Sequence, residues 1–323
     1  MAVLLLGSAL VRAAELPSPG IAEGWSACFA GKEFVLHVEP GAAVSAGDRL
    51  AWSIESGGRI LIRREEALEE GTAVECRFSA PDVKEGVVLP VNFHAQVLGS
   101  DGQPRSAELV RRLNVFPEDA FHDRAAWLKE RRIVLFDPVG DTAALFKEAG
   151  IPFEPARSPD AIDASSGGIV VIGEGASFAS SKGLAGQMVS WAGAGLGVLC
   201  LAPSEGGFAL PGANAEEPAP DRMAWRRSDI IKELDKTLDS GAWPPDGVVN
   251  SRSLLITTDR QGVRVSVQSD AAAWAWMEAG YGPGRVIVCM PEIVAKWSAS
   301  PVPRYLLLAI LQHLEGKDHE DVP

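Results

Sequence analysis

The sequence predicts a two-domain α+β protein, an antiparallel β-sandwich followed by an α/β domain. Short segments of period-two hydrophobicity occupy the first half, which is typical of sandwich strands. Apolar strands alternate with amphipathic helices in the second half, which is typical of a parallel sheet. A charged segment, predicted to be a helical connector, lies between them. These patterns place the sandwich at residues 21–118, the connector at 119–131 and the α/β domain at 132–316.

About six or seven short strands are predicted between Glu33 and Phe116. In one of them, apolar and polar residues alternate, so that one face is expected to be buried and the other to face water. The alternating residues are Val91, Phe93, Ala95 and Val97 against Asn92, His94 and Gln96. The half resembles an immunoglobulin-like sandwich in architecture only, because the spacing of Cys28, Trp52 and Cys76 does not match that family. It carries no cluster of titratable groups suited to catalysis.

The second half is predicted to be a flavodoxin-like α/β domain. Its elements follow in the order strand 133–136, helix 142–149, strand 168–172, helix 183–194 and strand 198–202. Buried strands that alternate with helices form a parallel sheet with right-handed crossovers.

Three segments carry a family resemblance: RIVLFDPVGDTAALFKEAGI, GGIVVIGEG and LAGQMVSWAGAGLGVLCLAP. Together they resemble the class I glutamine amidotransferase-like fold. In that family the third strand ends in a turn that exposes a nucleophilic cysteine. Matching GLGVLCLAP to this pattern places Ala202 at the nucleophile position and Cys200 two residues earlier, within the strand. The resemblance therefore implies a domain that lacks its nucleophile.

A second resemblance lies near the C-terminus, where Gly282, Gly284, Arg285 and Val286 form a turn before a strand and a helix is predicted from Val302 to Leu314. This segment is similar to amidotransferase-like accessory domains of glycoside hydrolases and β-galactosidase-like proteins. The catalytic barrel of those enzymes needs about 250 residues, and no strand and helix series of that length is present. The resemblance implies an accessory role in oligomer contacts, domain packing or shaping of a neighbouring site.

A ligand crevice is predicted at the carboxyl ends of the parallel strands, where ligands bind in open α/β sheets. Converging acidic side chains there are suited to bind a cation or sugar hydroxyls. The alternative is that Asp137 and Asp141 cap the first helix and that Glu174 is solvated. The residues of the predicted crevice are Asp137, Asp141, Glu174, Ser177, Ser204 and Glu205.

Other chemistries lack support in the sequence. Ser177 follows a strand but lacks the second glycine of a serine elbow and a histidine placed to act as its base. Gly173 and Gly175 match only half of the glycine fingerprint of dinucleotide-binding proteins, so they do not predict a dinucleotide cofactor. The five histidines are scattered, and no cysteine pair has zinc-ligand spacing. We therefore expect no catalytic residues, no cofactor and no metal.

Tryptophans are the remaining candidates for contact with a ligand or protein. Nine occur, and Trp243 and Trp297 fall in predicted loops, where exposed rings stack on sugars or anchor interfaces. The alternative is partial burial in the core. The segment from Ser204 to Pro220 is predicted as a loop, and a lid over the crevice is its functional alternative.

The net charge of the chain and its N-terminal segment indicate which binding partners and which cellular location to expect. The formal net charge of -13 disfavours nucleic acid, and no later apolar stretch reaches the roughly 18 residues of a membrane span. Residues 1–20 are predicted to be a secretory signal and linker, which implies a secreted or periplasmic protein. No Lys or Arg precedes the apolar run, so a cytoplasmic protein is the alternative.

Export would permit a disulfide between Cys28 and Cys76, and two buried thiols are the alternative. Residues 317–323 are predicted to be a tail.

These observations favour a non-catalytic, carbohydrate-associated accessory or assembly protein. A protein partner or a homo-oligomer, and carbohydrate, are the expected partners. One alternative is a hydrolase that acts on glycans through the Asp137 and Glu174 crevice. Another is a sugar-binding module that uses loop tryptophans.

Overall fold

A computed structural model describes residues 16–41, 43–210, 219–238, 254–258, 263–267 and 274–315. The protein is a mixed α/β protein with several sheets, one of them rich in parallel strands. The predicted signal segment, Trp243 and the predicted tail lie outside the described residues, apart from the linker that begins at Leu16.

Contacts divide the chain into two compact units. The first contains the described residues up to Glu23 together with Glu33–Phe78 and Pro90–Leu113. The second contains Gly24–Lys32, Ser79–Leu89 and the described residues from Asn114 onward.

Eight strands precede the first helix: β1 (Gly20–Ile21), β2 (Ala27–Phe29), β3 (Glu33–Glu39), β4 (Arg49–Ser56), β5 (Arg59–Ala67), β6 (Val74–Ser79), β7 (Leu89–Leu98) and β8 (Leu109–Phe116). Strands β1, β3 and β6 form a three-stranded sheet, while β8, β7, β4 and β5 are neighbours in a larger one. The six strands from β3 to β8 agree with the predicted number, and β7 buries every second residue as its alternation predicts. Strand β2 pairs in parallel with Asn114–Phe116.

The second unit continues with α1 (Ala125–Glu130), β9 (Ile133–Phe136), α2 (Asp141–Glu148), β10 (Glu154–Ala156), β11 (Ile169–Ile172), α3 (Leu184–Gly193), β12 (Gly197–Leu201), β13 (Gly207–Leu210), β14 (Arg222–Arg226), α4 (Asp229–Leu234), β15 (Leu254–Thr258), β16 (Val263–Val267), β17 (Trp276–Tyr281), β18 (Gly284–Cys289) and α5 (Pro301–Leu314). Short 3-10 turns occur at Pro159–Ala161 and Ala164–Ser166.

The main sheet has the strand order β10-β9-β11-β12-β18-β17-β14. Its first five strands are parallel, and β17 and β14 extend the sheet in antiparallel fashion. Because β9, β11 and β12 are neighbours, their carboxyl ends lie side by side. Strand β13 pairs with β15 in a separate small sheet, so part of the segment predicted as a loop from Ser204 to Pro220 is a strand.

Both faces of the main sheet are buried, which explains the continuous apolar runs of its strands. Val171 of β11 belongs to a core cluster that includes Leu307 of α5. Its neighbour Val170 belongs to a second cluster that includes Met188 of α3. Successive residues of a strand point to opposite faces, so the two helices cover opposite sides of the sheet.

Helix ends follow local chemistry. Gly140 precedes α2 with φ of 98°, a conformation that glycine adopts without strain. Ser300 accepts a hydrogen bond from Val302 N at 3.2 Å, and Pro301 opens α5 with its ring-fixed φ. Among the described helices none is long and apolar enough to cross a bilayer.

Candidate functional site

Ala202 occupies the turn that follows β12, at the position matched above to a nucleophile. Its φ is +27°, which is unusual for a residue other than glycine, and its side chain is fully buried. The backbone is held on both sides, because Ala202 N donates to Cys289 O at 2.7 Å and Ala202 O accepts from Gly175 N at 3.0 Å. The strained turn therefore carries a methyl group at the position that was matched to a nucleophile.

Asp137 follows β9 and caps α2. Its carboxylate accepts hydrogen bonds from Gly140 N at 3.0 Å and from Ala143 N at 2.8 Å. Gly173, at the end of β11, lies against the same carboxylate, since a Cβ there would stand 2.7 Å from Asp137 Cγ. Asp137 is thus oriented by its own loop, as in the capping alternative, whereas Asp141 is exposed in the first turn of α2.

Glu174 is buried rather than solvated. Its carboxylate accepts a hydrogen bond from Val294 N at 2.7 Å and another from Ala295 N at 3.0 Å. Its own backbone N donates to Thr142 Oγ1 at 2.8 Å. The solvated alternative for Glu174 is therefore wrong, because the side chain fixes the turn that precedes α5.

Of the predicted crevice residues, the structure brings Ser177 and Glu205 together. Ser177 Oγ donates to Glu205 Oε1 at 3.0 Å and accepts from Ser180 N at 3.1 Å. Ser204 N donates to the Ala176 carbonyl oxygen at 3.0 Å, which joins the loops after β11 and β12. These contacts tie two loops to each other at the exposed surface.

No thiol near the Ala202 turn is chemically activated. Cys200 and Cys289 are fully buried, and desolvation raises both pKa values, that of Cys289 further because of the Glu174 carboxylate. Burial also raises the pKa of Cys28 and of Cys76 to about 12. All four cysteines are free, in agreement with the alternative of buried thiols. Within the part of the chain that the structure describes, no His, Cys, Asp and Glu cluster has metal-binding geometry.

Trp297 is a buried tryptophan, with 8% of its surface exposed. Its ring stacks on Phe121 at a centroid distance of 6.4 Å, and the Arg304 guanidinium lies 5.5 Å from its centroid. Little of the ring is open to a ligand, so the expected exposed position of Trp297 is wrong. Trp243 lies outside the described residues.

A cavity of about 610 Å³ lies elsewhere in the second unit, among α1, β14, α4, β17 and α5. We call it the α4–α5 cavity. Its aromatic lining is Trp127 and Trp276, and its polar lining includes Glu278, Gln312 and His313.

Glu278, Arg285 and His313 form a polar cluster at the wall of this cavity. Glu278 Oε1 accepts from Arg285 Nη1 at 3.1 Å, and Glu278 Oε2 lies 3.0 Å from His313 Nε2. Arg285 is buried, and the Glu278 side chain is largely so. A buried charge is tolerated when it is paired. Although desolvation raises the pKa of Glu278, the His313 hydrogen bond and the charges of His313 and Arg285 outweigh it and lower that pKa overall.

Sequence patterns alone do not predict this cluster. Arg285 belongs to the glycine turn quoted above, and His313 lies within the helix predicted from Val302 to Leu314. Two signals pointed to it: Glu278 is the sole acid within the apolar strand WMEAGY, and Arg285 opens the apolar strand GRVIVC. A charge inside a buried strand requires an opposite charge nearby.

Comparison with known proteins does not assign a family. No family model matches the chain, and no curated protein matches it. One matching solved structure is the crystal structure of an engineered protein, a structural genomics target, at 14% identity and a TM-score of 0.22. The match covers 31% of this chain and 20% of that one. A TM-score this low carries no argument about fold or function.

Proposed function

We propose that this protein is a non-catalytic, carbohydrate-associated accessory or assembly protein. Its α/β half is an amidotransferase-like domain without a nucleophile, preceded by an immunoglobulin-like sandwich. The observation that carries the proposal is Ala202, a methyl-bearing residue in a strained turn at the end of β12. Such turns are typical of nucleophile positions in α/β enzymes, but a methyl group supplies no lone pair for attack.

The strand order supports the proposed flavodoxin-like type. Numbered along the chain, the parallel strands β10, β9, β11, β12 and β18 have the order 2-1-3-4-5 found in flavodoxin-like sheets. The two sheets formed by strands of the first half support the proposed sandwich.

The alternative of hydrolysis through Asp137 and Glu174 receives less support. Both carboxylates accept two backbone N–H hydrogen bonds: Asp137 fixes its own loop, and Glu174 fixes the turn that precedes α5. Catalytic acids and bases must instead reach the reacting group.

Turnover and assembly test the proposal together. We expect no hydrolysis of glutamine or of aryl glycosides by the intact chain, and we expect its mass in light scattering to rise with concentration. The variant Ala202→Cys is expected to stay inactive, because the turn is fully buried and burial raises the pKa of a thiol, as it does for Cys200 two residues earlier.

Turnover lost in Asp137→Ala or Glu174→Ala and retained in Asp141→Ala would overturn the proposal. Asp141 is the matched control, because it is a neighbouring carboxylate exposed on α2.

A further inference from the structure

We propose that the α4–α5 cavity binds a neutral sugar, with Trp127 as the stacking surface and with Gln312 and Glu278 as hydrogen-bonding groups. The inference names a ligand class for the carbohydrate association proposed above and rests on it. It concerns a site distinct from the crevice at the strand ends.

The size of the cavity suits a small oligosaccharide. Its volume of about 610 Å³ lies within the roughly 300–1,000 Å³ of small-molecule sites. Five elements contribute to its wall, so the polar groups around it are held by the fold.

The charges of the wall favour an uncharged ligand. Each lining carboxylate already has a cationic partner: Glu233 pairs with Arg226, Glu278 with Arg285 and Glu315 with Arg131. A cationic ligand would therefore find that each lining carboxylate is already paired with an arginine. An anionic ligand would meet one lining cation without an ion-pair partner among the described residues, Arg124, beside three carboxylates.

Sugar hydroxyls match the hydrogen-bonding capacity that remains. A hydroxyl donates and accepts, and a carboxylate that already accepts from a cation has lone pairs left. Gln312 is exposed at the cavity and offers both an amide donor and a carbonyl acceptor. These groups suit a ligand with many hydroxyls and no net charge.

The aromatic part of the wall is preorganised. Trp127 Nε1 donates to Glu315 Oε1 at 2.8 Å, which fixes the orientation of the half-buried ring. Trp276, the other lining tryptophan, is buried, with its ring centroid 6.3 Å from that of His313. A fixed aromatic face loses little conformational entropy when a sugar ring stacks on it.

Titration of the full chain with maltose, lactose, cellobiose, xylobiose and N,N′-diacetylchitobiose tests the inference by calorimetry and tryptophan fluorescence. We expect saturable binding of at least one of these sugars. Gln312→Ala should weaken that binding about five- to tenfold, the effect of one lost hydrogen bond. Trp127→Ala should weaken it further, and Gln187→Ala on α3, outside the cavity, should not change it.

Three results would overturn the inference: no saturable binding of any of the five sugars, binding unchanged in Gln312→Ala, or binding of glucuronate or glucosamine alone. The exposed position of Gln312 keeps the test valid if Trp127→Ala fails to fold. Failure of sugar binding would leave inactivity and self-association unaffected, whereas failure of the proposed function would appear as turnover sensitive to Asp137→Ala or Glu174→Ala.

Discussion

Gly173 and Asp137 lie at the ends of adjacent strands, and the space between them admits no side chain at Gly173. The Asp137 carboxylate satisfies two N–H groups at the start of α2, which have no partner within the helix. The glycine is therefore required by a close approach rather than by its φ angle.

A double-mutant cycle tests this fit. Gly173→Ala and Asp137→Ala should each lower the free energy of unfolding by about 1–2 kcal/mol, the first by displacing the cap and the second by removing it. The double variant should lose about 1 kcal/mol less than the sum, because the added methyl then occupies the vacated space. Urea unfolding measures all three. Gly173→Ala combined with Asp141→Ala is the control and should be additive; additivity in the Asp137 pair would contradict the prediction.

At the residue scale, the sequence placed Asp137 and Glu174 at strand ends but did not reveal all of their partners. Helix capping by Asp137 is a local contact, and the sequence predicts it as one alternative. The partners of Glu174 lie 120 and 121 residues further along the chain. Local pattern carries no information about such a contact, so the burial of Glu174 could not be predicted.

At the scale of helices and strands, hydrophobic periodicity predicts where an element begins and ends wherever the apolar pattern is strong. Strand 133–136 is β9 as predicted, and helix 142–149 is α2 shifted by one residue. Strand β13 was missed because Gly and Pro dominate the surrounding segment, and its pairing with β15 joins residues distant in sequence. Long-range pairing overrides local propensity in such strands.

The polar cluster of Glu278, Arg285 and His313, which joins β17, β18 and α5, predicts that stability depends on pH. The folded chain lowers the pKa of Glu278 from 4.5. A carboxylate with a depressed folded pKa stabilises the protein above its unfolded pKa, and this contribution is lost as the pH falls from about 4.5 through the lower folded value. Glu278→Gln should therefore reduce the stability at neutral pH and flatten its decline below pH 4.5.

Urea unfolding over a pH series measures this effect. Glu205→Gln is the control, because Glu205 is an exposed carboxylate on a loop, and its curve should follow that of the unmodified chain. Parallel curves for Glu278→Gln and the unmodified chain below pH 4.5 would contradict the assignment.

At the scale of the whole molecule, sequence separates two halves near residue 118, and that boundary stays a prediction. The compact units instead group Gly24–Lys32 and Ser79–Leu89 with the α/β residues. Hydrophobic periodicity marks where strands lie but not which core they join, so short segments from the first half were not expected in the second unit.

Phe116 shows why these segments belong to that unit. It is fully buried in the same cluster as Ala27, and its ring centroid lies 4.7 Å from that of Tyr305 on α5. The adjacent Arg304 donates to Glu118 O at 2.7 Å, and its guanidinium lies 4.7 Å from the centroid of Phe29. The last helix is thus anchored on residues that precede the connector.

Phe116→Ala in the full chain should lower the free energy of unfolding by about 3–5 kcal/mol, because it removes a buried ring and leaves a cavity beneath α5. Val110→Ala on the same strand is the matched control. Its side chain is 53% exposed, so its effect should stay within about 0.5 kcal/mol. Denaturant unfolding followed by tryptophan fluorescence measures both. Equal effects would mean that the end of β8 contributes to stability only through its backbone pairing with β2, and that the α/β core does not depend on residues before the connector.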